Sequence, residues 1–128
     1  MAQILIVDDS MMMRKTLRTI LQRAGHLVSA EAANGEQAIT YYANHRPDLV
    51  TLDITMPGLN GIEVVKKLRE LDPDANIVIV SALGQKHIVF DALQNGAKNY
   101  VLKPITEDKL LAVVNMVLSQ SSDSPTPA

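Results

Sequence analysis

Short aliphatic runs alternate with amphipathic stretches along this chain. Residues 4–7 (Ile-Leu-Ile-Val), 49–52 (Leu-Val-Thr-Leu) and 77–80 (Ile-Val-Ile-Val) are almost wholly apolar and bounded by turn-forming residues. Continuous apolar runs of this length describe strands covered on both faces, as in parallel sheets. Residues 27–32 give a weaker, small-residue strand, expected nearer a sheet edge, and 99–102 a fifth. The intervening segments carry helical spacing. Met13, Leu17, Ile20, Leu21 and Ala24 share one stripe, with Arg14, Lys15, Arg18 and Arg23 off it and Gly25 just beyond. Ala38, Ile39 and Tyr42 face inward on a helix opened by Asn34-Gly35-Glu36 and barred at Pro47. Ile62, Val65, Leu68 and Leu71 form a third stripe, after the turns Met56-Pro57-Gly58 and Asn60-Gly61 and before Asp72-Pro73. Ile88, Val89, Ala92 and Leu93 mark a fourth helix over about 85–95, and Leu110, Leu111, Val114, Val117 and Leu118 a fifth over 106–119.

Strand–helix alternation forces parallel pairing through right-handed crossovers and so puts helices on both faces. The predicted fold is a doubly wound α/β sheet forming one domain over residues 1–119. The remaining 120–128, polar and Pro-rich, lack core-forming residues and are expected to be a disordered tail.

Composition narrows the function. With 128 residues there is room for one domain, and with aromatics at 3% its core must be aliphatic. A net charge of -2 without a basic run argues against nucleic acid, which demands clustered Lys and Arg. The absence of Cys removes disulfides, thiol catalysis and cysteine zinc sites, and suits a reducing cytoplasm, where the protein is expected to act as a monomer. The opening Met-Ala-Gln-Ile-Leu-Ile-Val-Asp-Asp reads as neither a signal peptide nor a membrane insertion. His26, His45 and His87 lack metal-ligand spacing, and Gly84-Gln85-Lys86 is not a phosphate-binding P-loop.

The chemistry gathers at one sheet edge. In a parallel sheet all C-terminal strand ends lie together, and open α/β sheets bind ligands there. Four of the five predicted strands end in functional groups: Asp8-Asp9, Asp53, Ser81 and Lys103. Clustered carboxylates repel and titrate together, so a cation must offset them. Oxygen donors without His or Cys suit Mg²⁺ better than zinc. A divalent metal, a lysine, a hydroxyl and a carboxylate nucleophile together describe a phosphoryl-transfer site.

Asp8-Asp9, Asp53 followed by Met56-Pro57 and Gly61, Ser81-Ala82, Tyr100 and Lys103-Pro104 resemble the signature of response-regulator receiver domains. The likeness covers about residues 2–119 and is greatest to the stand-alone, CheY-like chemotaxis type. It implies a flavodoxin-like sheet of order 2-1-3-4-5, a property of that family which alternation alone does not supply. It also implies that Asp53 accepts a phosphoryl group from a sensor histidine kinase, in signalling rather than as an enzyme. Asp9, Asp53 and the Thr55 carbonyl would hold Mg²⁺, with Asp8 acting through a coordinated water. Lys103, Ser81 and the Ala82 N–H would bind phosphoryl oxygens. Ser81 and Tyr100 would form a switch, the ring rotating into space that the hydroxyl vacates. The Lys103–Pro104 bond would be cis. Thr55 and Leu83, two beyond Asp53 and Ser81, offer no carboxylate or amide to orient water, so dephosphorylation would be slow without a partner phosphatase. The output would be a partner bound through the helix 4–strand 5–helix 5 face, a flagellar-motor switch component being the expected target.

Other readings share parts of this pattern. A phosphate sink, or a receiver cut from a larger regulator, would carry every motif named. A Mg²⁺-dependent aspartyl phosphatase would need a substrate-covering cap, for which few residues remain. A flavin carrier would need a hydroxyl-rich phosphate loop where Asp8-Asp9 would repel the ligand.

Overall fold

In the computed structural model, which describes residues 1–56, 60–82 and 84–122, five strands and five helices alternate. They are β1 (Gln3–Val7), α1 (Met11–Arg23), β2 (Leu27–Ala32), α2 (Gly35–His45), β3 (Leu49–Asp53), α3 (Gly61–Leu71), β4 (Ile77–Ser81), α4 (Lys86–Gln94), β5 (Asn99–Leu102) and α5 (Glu107–Ser122). All pairings are parallel and the strand order is β2-β1-β3-β4-β5. Every residue of β3 and β4 is buried, as their continuous apolar runs require, while β2 and β5 form the edges.

The helices start where short polar side chains can accept from free N–H groups. Ser10 accepts from the Met13 N–H, Asn34 from Gln37, Asn60 from Glu63, and Thr106 from Lys109. α1 ends on Ala24, and Gly25 takes a φ of +90° that residues with a Cβ rarely adopt. Arg46 fills the same role after α2 at φ +44°, directly before Pro47.

Alternation along the strands divides the core in two. Leu5, Val7, Val50, Leu52, Ile77 and Ile79 pack against α2, α3 and α4, with Tyr42, Val64, Val65 and Leu68 among the buried partners. Ile4, Ile6, Leu49, Val78 and Val101 pack against Leu17, Ile20 and Leu21 of α1 and Leu110, Val114 and Val117 of α5.

Three details depart from the sequence-based expectation. The α1 stripe stops at Leu21, and Ala24 is the exposed capping residue. Val64, off the expected α3 stripe, is buried because the helix lies deep between the sheet and its neighbours. α5 continues to Ser122, three residues past the expected end, since Ser and Gln cost a helix only a few tenths of a kcal/mol per residue. The expected tail from 123 onward, the Pro57-Gly58 turn and Leu83 lie outside the described residues.

Thr51, in the middle of β3, stands opposite Ile6 of β1 and Val78 of β4 and is fully buried. Its hydroxyl has no partner among the described residues. A buried hydroxyl without a hydrogen bond costs about 1–3 kcal/mol, and valine has the same shape and suits a strand. Thr51→Val should therefore raise stability by about 1 kcal/mol, or melting by about 3–5 °C for a domain of this size. A urea or thermal melt that shows no gain would mean that the hydroxyl is satisfied in solution.

Candidate functional site

The strand ladder runs one residue beyond β1, β3 and β5 and fixes the backbone of the site. The N–H of Asp8 donates to Ala32 O (3.0 Å), that of Ile54 to Val80 O (3.1 Å) and that of Lys103 to Ser81 O (2.8 Å). Val7 pairs with Leu52, so one further register step brings Asp8 beside Asp53. Two-residue alternation gives Asp8, Asp53 and Lys103 the parity of Ile6, Leu49 and Val101, which face α1 and α5. Ser81 shares the parity of Ile77 and Ile79, which face α3 and α4.

Asp8 and Asp53 are built alike. Oδ1 of Asp8 accepts from the Ser10 N–H at 2.8 Å, and Oδ1 of Asp53 accepts from the Thr55 N–H at 2.8 Å. Each carboxylate thus closes an Asx turn with the residue two places on. The Thr55 hydroxyl adds a second bond to Oδ1 of Asp53, at 2.6 Å. Both second oxygens are left for other work. Oδ2 of Asp53 accepts from Lys103 Nζ at 3.2 Å. Oδ2 of Asp8 lies 4.0 Å from the same ammonium, too far for a hydrogen bond, and is buried with no partner among the described residues. Asp9 is exposed and completes the cluster: one carboxylate oxygen from each of Asp8, Asp9 and Asp53 lies within 4.8 Å of the other two.

Burial dominates the electrostatics of Asp8. It pushes the carboxyl up to about 6, and the nearby charge of Asp53 pushes the same way, against the Ser10 N–H and Lys103. One ammonium faces two buried carboxylates, which leaves the pocket short of positive charge. An orphaned, acceptor-only oxygen among three carboxylates fits a hard, oxygen-seeking divalent ion such as Mg²⁺.

Ser81 is buried at the end of β4, and its hydroxyl donates to the Ala82 carbonyl at 3.0 Å rather than to either aspartate. Tyr100 is 41% exposed on β5. The Lys103–Pro104 peptide is cis, as the resemblance implies. Sequence reading missed two contributors: the pair of hydrogen bonds that Thr55 donates to Asp53, and the Arg14 side chain, whose Nη1 donates to the Asp8 carbonyl at 2.7 Å. The Asp-x-Ser and Asp-x-Thr spacings were a usable signal for the turns.

The family model for the response regulator receiver domain matches residues 4–115. The chain belongs to the response-regulator receiver family. Among curated relatives, the chemotaxis protein CheY of Bacillus subtilis is 46% identical over 117 residues, spanning 91% of this chain and 98% of its own. CheY of Thermotoga maritima is 42% identical over 115 residues, spanning 90% and 96%. A crystal structure of the CheX–CheY–BeF3–Mg²⁺ complex from Borrelia burgdorferi superposes with a TM-score of 0.85 at 41% identity, covering 90% of this receiver and 87% of that chain. The receiver is thus a module of two-component signalling. None of its described helices is long and apolar enough to cross a membrane.

The pH dependence of Asp8 follows from its burial. Its folded pKa of about 6 lies above the unfolded value of 3.8, so the native state binds the proton more tightly. The destabilisation is absent below about pH 4, grows between pH 4 and 6, and is complete above pH 6. Asp8→Asn keeps the Oδ1 acceptor without the charge, and should stabilise the metal-free receiver by on the order of 2 kcal/mol at pH 7. Urea denaturation at pH 7.5 and pH 4 checks this: the gain should shrink toward zero at the lower pH. A gain that does not change with pH would assign it to packing.

Proposed function

We propose that Asp53 is the phosphoacceptor of this receiver, taking a phosphoryl group from a phosphohistidine on a sensor kinase. The observation that carries this reading is the convergence of Asp8, Asp53 and Lys103 at the strand ends, with Lys103 Nζ 3.2 Å from Asp53. An oxygen of the Asp53 carboxylate forms the new bond to phosphorus. The phosphorus–nitrogen bond to imidazole breaks, and the imidazole leaves with the electron pair and gains a proton. The product is an acyl phosphate on Asp53.

Asp8, Asp9, Asp53 and the Thr55 carbonyl would hold Mg²⁺, Asp8 through a water. When bound, that ion supplies positive charge against the phosphoryl oxygens. Thr55 orients the Asp53 carboxylate through its amide and hydroxyl, and its side chain carries no carboxylate or amide to direct an attacking water. Lys103 neutralises charge on the phosphoryl oxygens, held in register by its N–H on Ser81 O. The Ser81 hydroxyl and the Ala82 N–H take the remaining oxygens. To reach them, Ser81 must give up its bond to the Ala82 carbonyl, and this is the movement that the switch couples to Tyr100. A slow return to the free carboxylate calls for a partner phosphatase.

The output is binding of a partner protein in the cytoplasm to the α4–β5–α5 face. That face carries a groove of about 530 Å³ lined by Ala82, Val89, Phe90, Leu93, Tyr100 and Leu102. Ala82, the chain neighbour of Ser81, and Tyr100 both line it. Chemotaxis proteins among the relatives favour a flagellar-motor switch component as the target.

With a small phosphodonor and Mg²⁺, mass spectrometry should find label on Asp53 and none in Asp53→Asn. A motor-switch peptide should bind the beryllofluoride-treated receiver at least about tenfold more tightly than the untreated one, because equal affinity shifts no population. Tyr100→Ala should remove most of that preference. Label persisting in Asp53→Asn contradicts the phosphoacceptor assignment, and a preference untouched by Tyr100→Ala contradicts the switch.

A further inference from the structure

The acidic turn that closes β1 is held from outside by a residue that is neither a ligand nor a strand end. Arg14, in the second turn of α1, is largely buried, its side chain 16% exposed. Nη1 donates to the backbone carbonyl of Asp8 at 2.7 Å, and Nε faces Oε1 of Glu31 on β2 at 3.3 Å. The other oxygen of Glu31 accepts from Nη1 of Arg18, one turn further along α1. Glu31 sits opposite Ile6 in the β1–β2 register, two residues before Asp8, so the bridge spans the sheet edge next to the turn.

This accounts for both backbone polar groups of Asp8. Its N–H is held by Ala32 O and its carbonyl by Arg14, while its side-chain Oδ1 accepts from the Ser10 N–H. The Asp8 carbonyl belongs to the peptide plane that ends in the N–H of Asp9. Fixing its direction fixes the course of the backbone that carries Asp9, the exposed member of the carboxylate cluster. The two-pronged geometry needs a guanidinium, which can donate to a carbonyl and a carboxylate at once.

We infer that Arg14, buttressed by Glu31, is a positioning residue: it sets the Asp8–Asp9 peptide so that the Asp9 carboxylate faces those of Asp8 and Asp53 in the arrangement a divalent cation needs. This rests on the Mg²⁺ reading above and assigns that site an outer support. Its charge is not the working feature. Glu31 largely cancels it, and the charges that shift the Asp8 carboxyl are those of Asp53 and Lys103.

Charge and geometry predict opposite signs for the loss of Arg14. If Arg14 acted as a nearby cation, removing it would tighten Mg²⁺ binding, and neutralising Glu31 would weaken it. If it acts by positioning, both Arg14→Gln and Glu31→Gln weaken it. Groups that orient metal ligands from behind are typically worth 10–100-fold in affinity; for a support acting on an exposed ligand we expect about 5–10-fold for Arg14→Gln and about 3-fold for Glu31→Gln. The test is calorimetric titration of MgCl₂ at constant ionic strength into wild type, Arg14→Gln, Glu31→Gln and Asp9→Asn, with ¹H–¹⁵N spectra of each metal-free protein. The Asp9 amide should shift in Arg14→Gln, while the dispersed core amides remain and show the variant folded. Should Arg14→Gln unfold the domain, the metal-free Asp9 amide of Glu31→Gln decides instead: both readings weaken the metal in that variant, but only positioning requires the Asp9 amide to be displaced, and an unmoved amide overturns the inference. Unchanged or tighter Mg²⁺ binding in Arg14→Gln, with Asp9→Asn still weakened, overturns this inference and leaves the metal site standing. A wild type that binds no Mg²⁺ overturns both.

Discussion

Two aspartates buried at adjacent strand ends around a single lysine are the constraint from which the rest of this receiver follows. Asp8 and Asp53 are 0% and 2% exposed, and one ammonium serves both. An apolar pair at those positions would stabilise the sheet, because uncompensated charge in a protein interior is costly. The surrounding structure limits the damage: each carboxylate caps its own turn with one oxygen, and the Lys103 backbone is tied to Ser81. What remains unsatisfied, Oδ2 of Asp8, is also what fits the pocket for a cation.

The same layout offers the proposed event at Asp53 a route to the surface. Asp53 and Lys103 lie on the α1–α5 parity, Ser81 and Tyr100 on the α4 parity, and the ladder bond from Lys103 to Ser81 crosses between them. In the proposed switch, a group that draws the Ser81 hydroxyl away from the Ala82 carbonyl would act beside Ala82, which lines the groove together with Tyr100. The signal would then pass through neighbouring residues rather than a distant relay.

The sheet, its strand ends and the site carboxylates were legible in the sequence because each rests on a local signal. Apolar runs gave the strands, and Asp8, Asp9, Asp53, Ser81 and Lys103 each stood at the end of one. The strand order came through family likeness, since alternation is compatible with several orders. Arg14 was read as a polar residue off the α1 stripe, and nothing in its spacing points at a carbonyl six residues earlier or at Glu31 across the β1–β2 register. Val64 was missed because burial on both flanks of a helix widens the stripe beyond one face. Helix ends made of Ser and Gln carry weak stop signals, and α5 ran on accordingly.

If these carboxylates hold the fold in tension until a divalent cation neutralises them, that cation must stabilise the native state. Scanning calorimetry of the wild-type receiver with increasing MgCl₂, at ionic strength held constant with NaCl, measures this directly. Binding confined to the native state must raise the melting temperature with the logarithm of ligand concentration once the site is saturating. We expect such a rise for wild type and its loss in an Asp9→Asn, Asp53→Asn double variant, which should melt higher than wild type without metal. A melting temperature indifferent to Mg²⁺, or one that rises equally in the double variant, would contradict it.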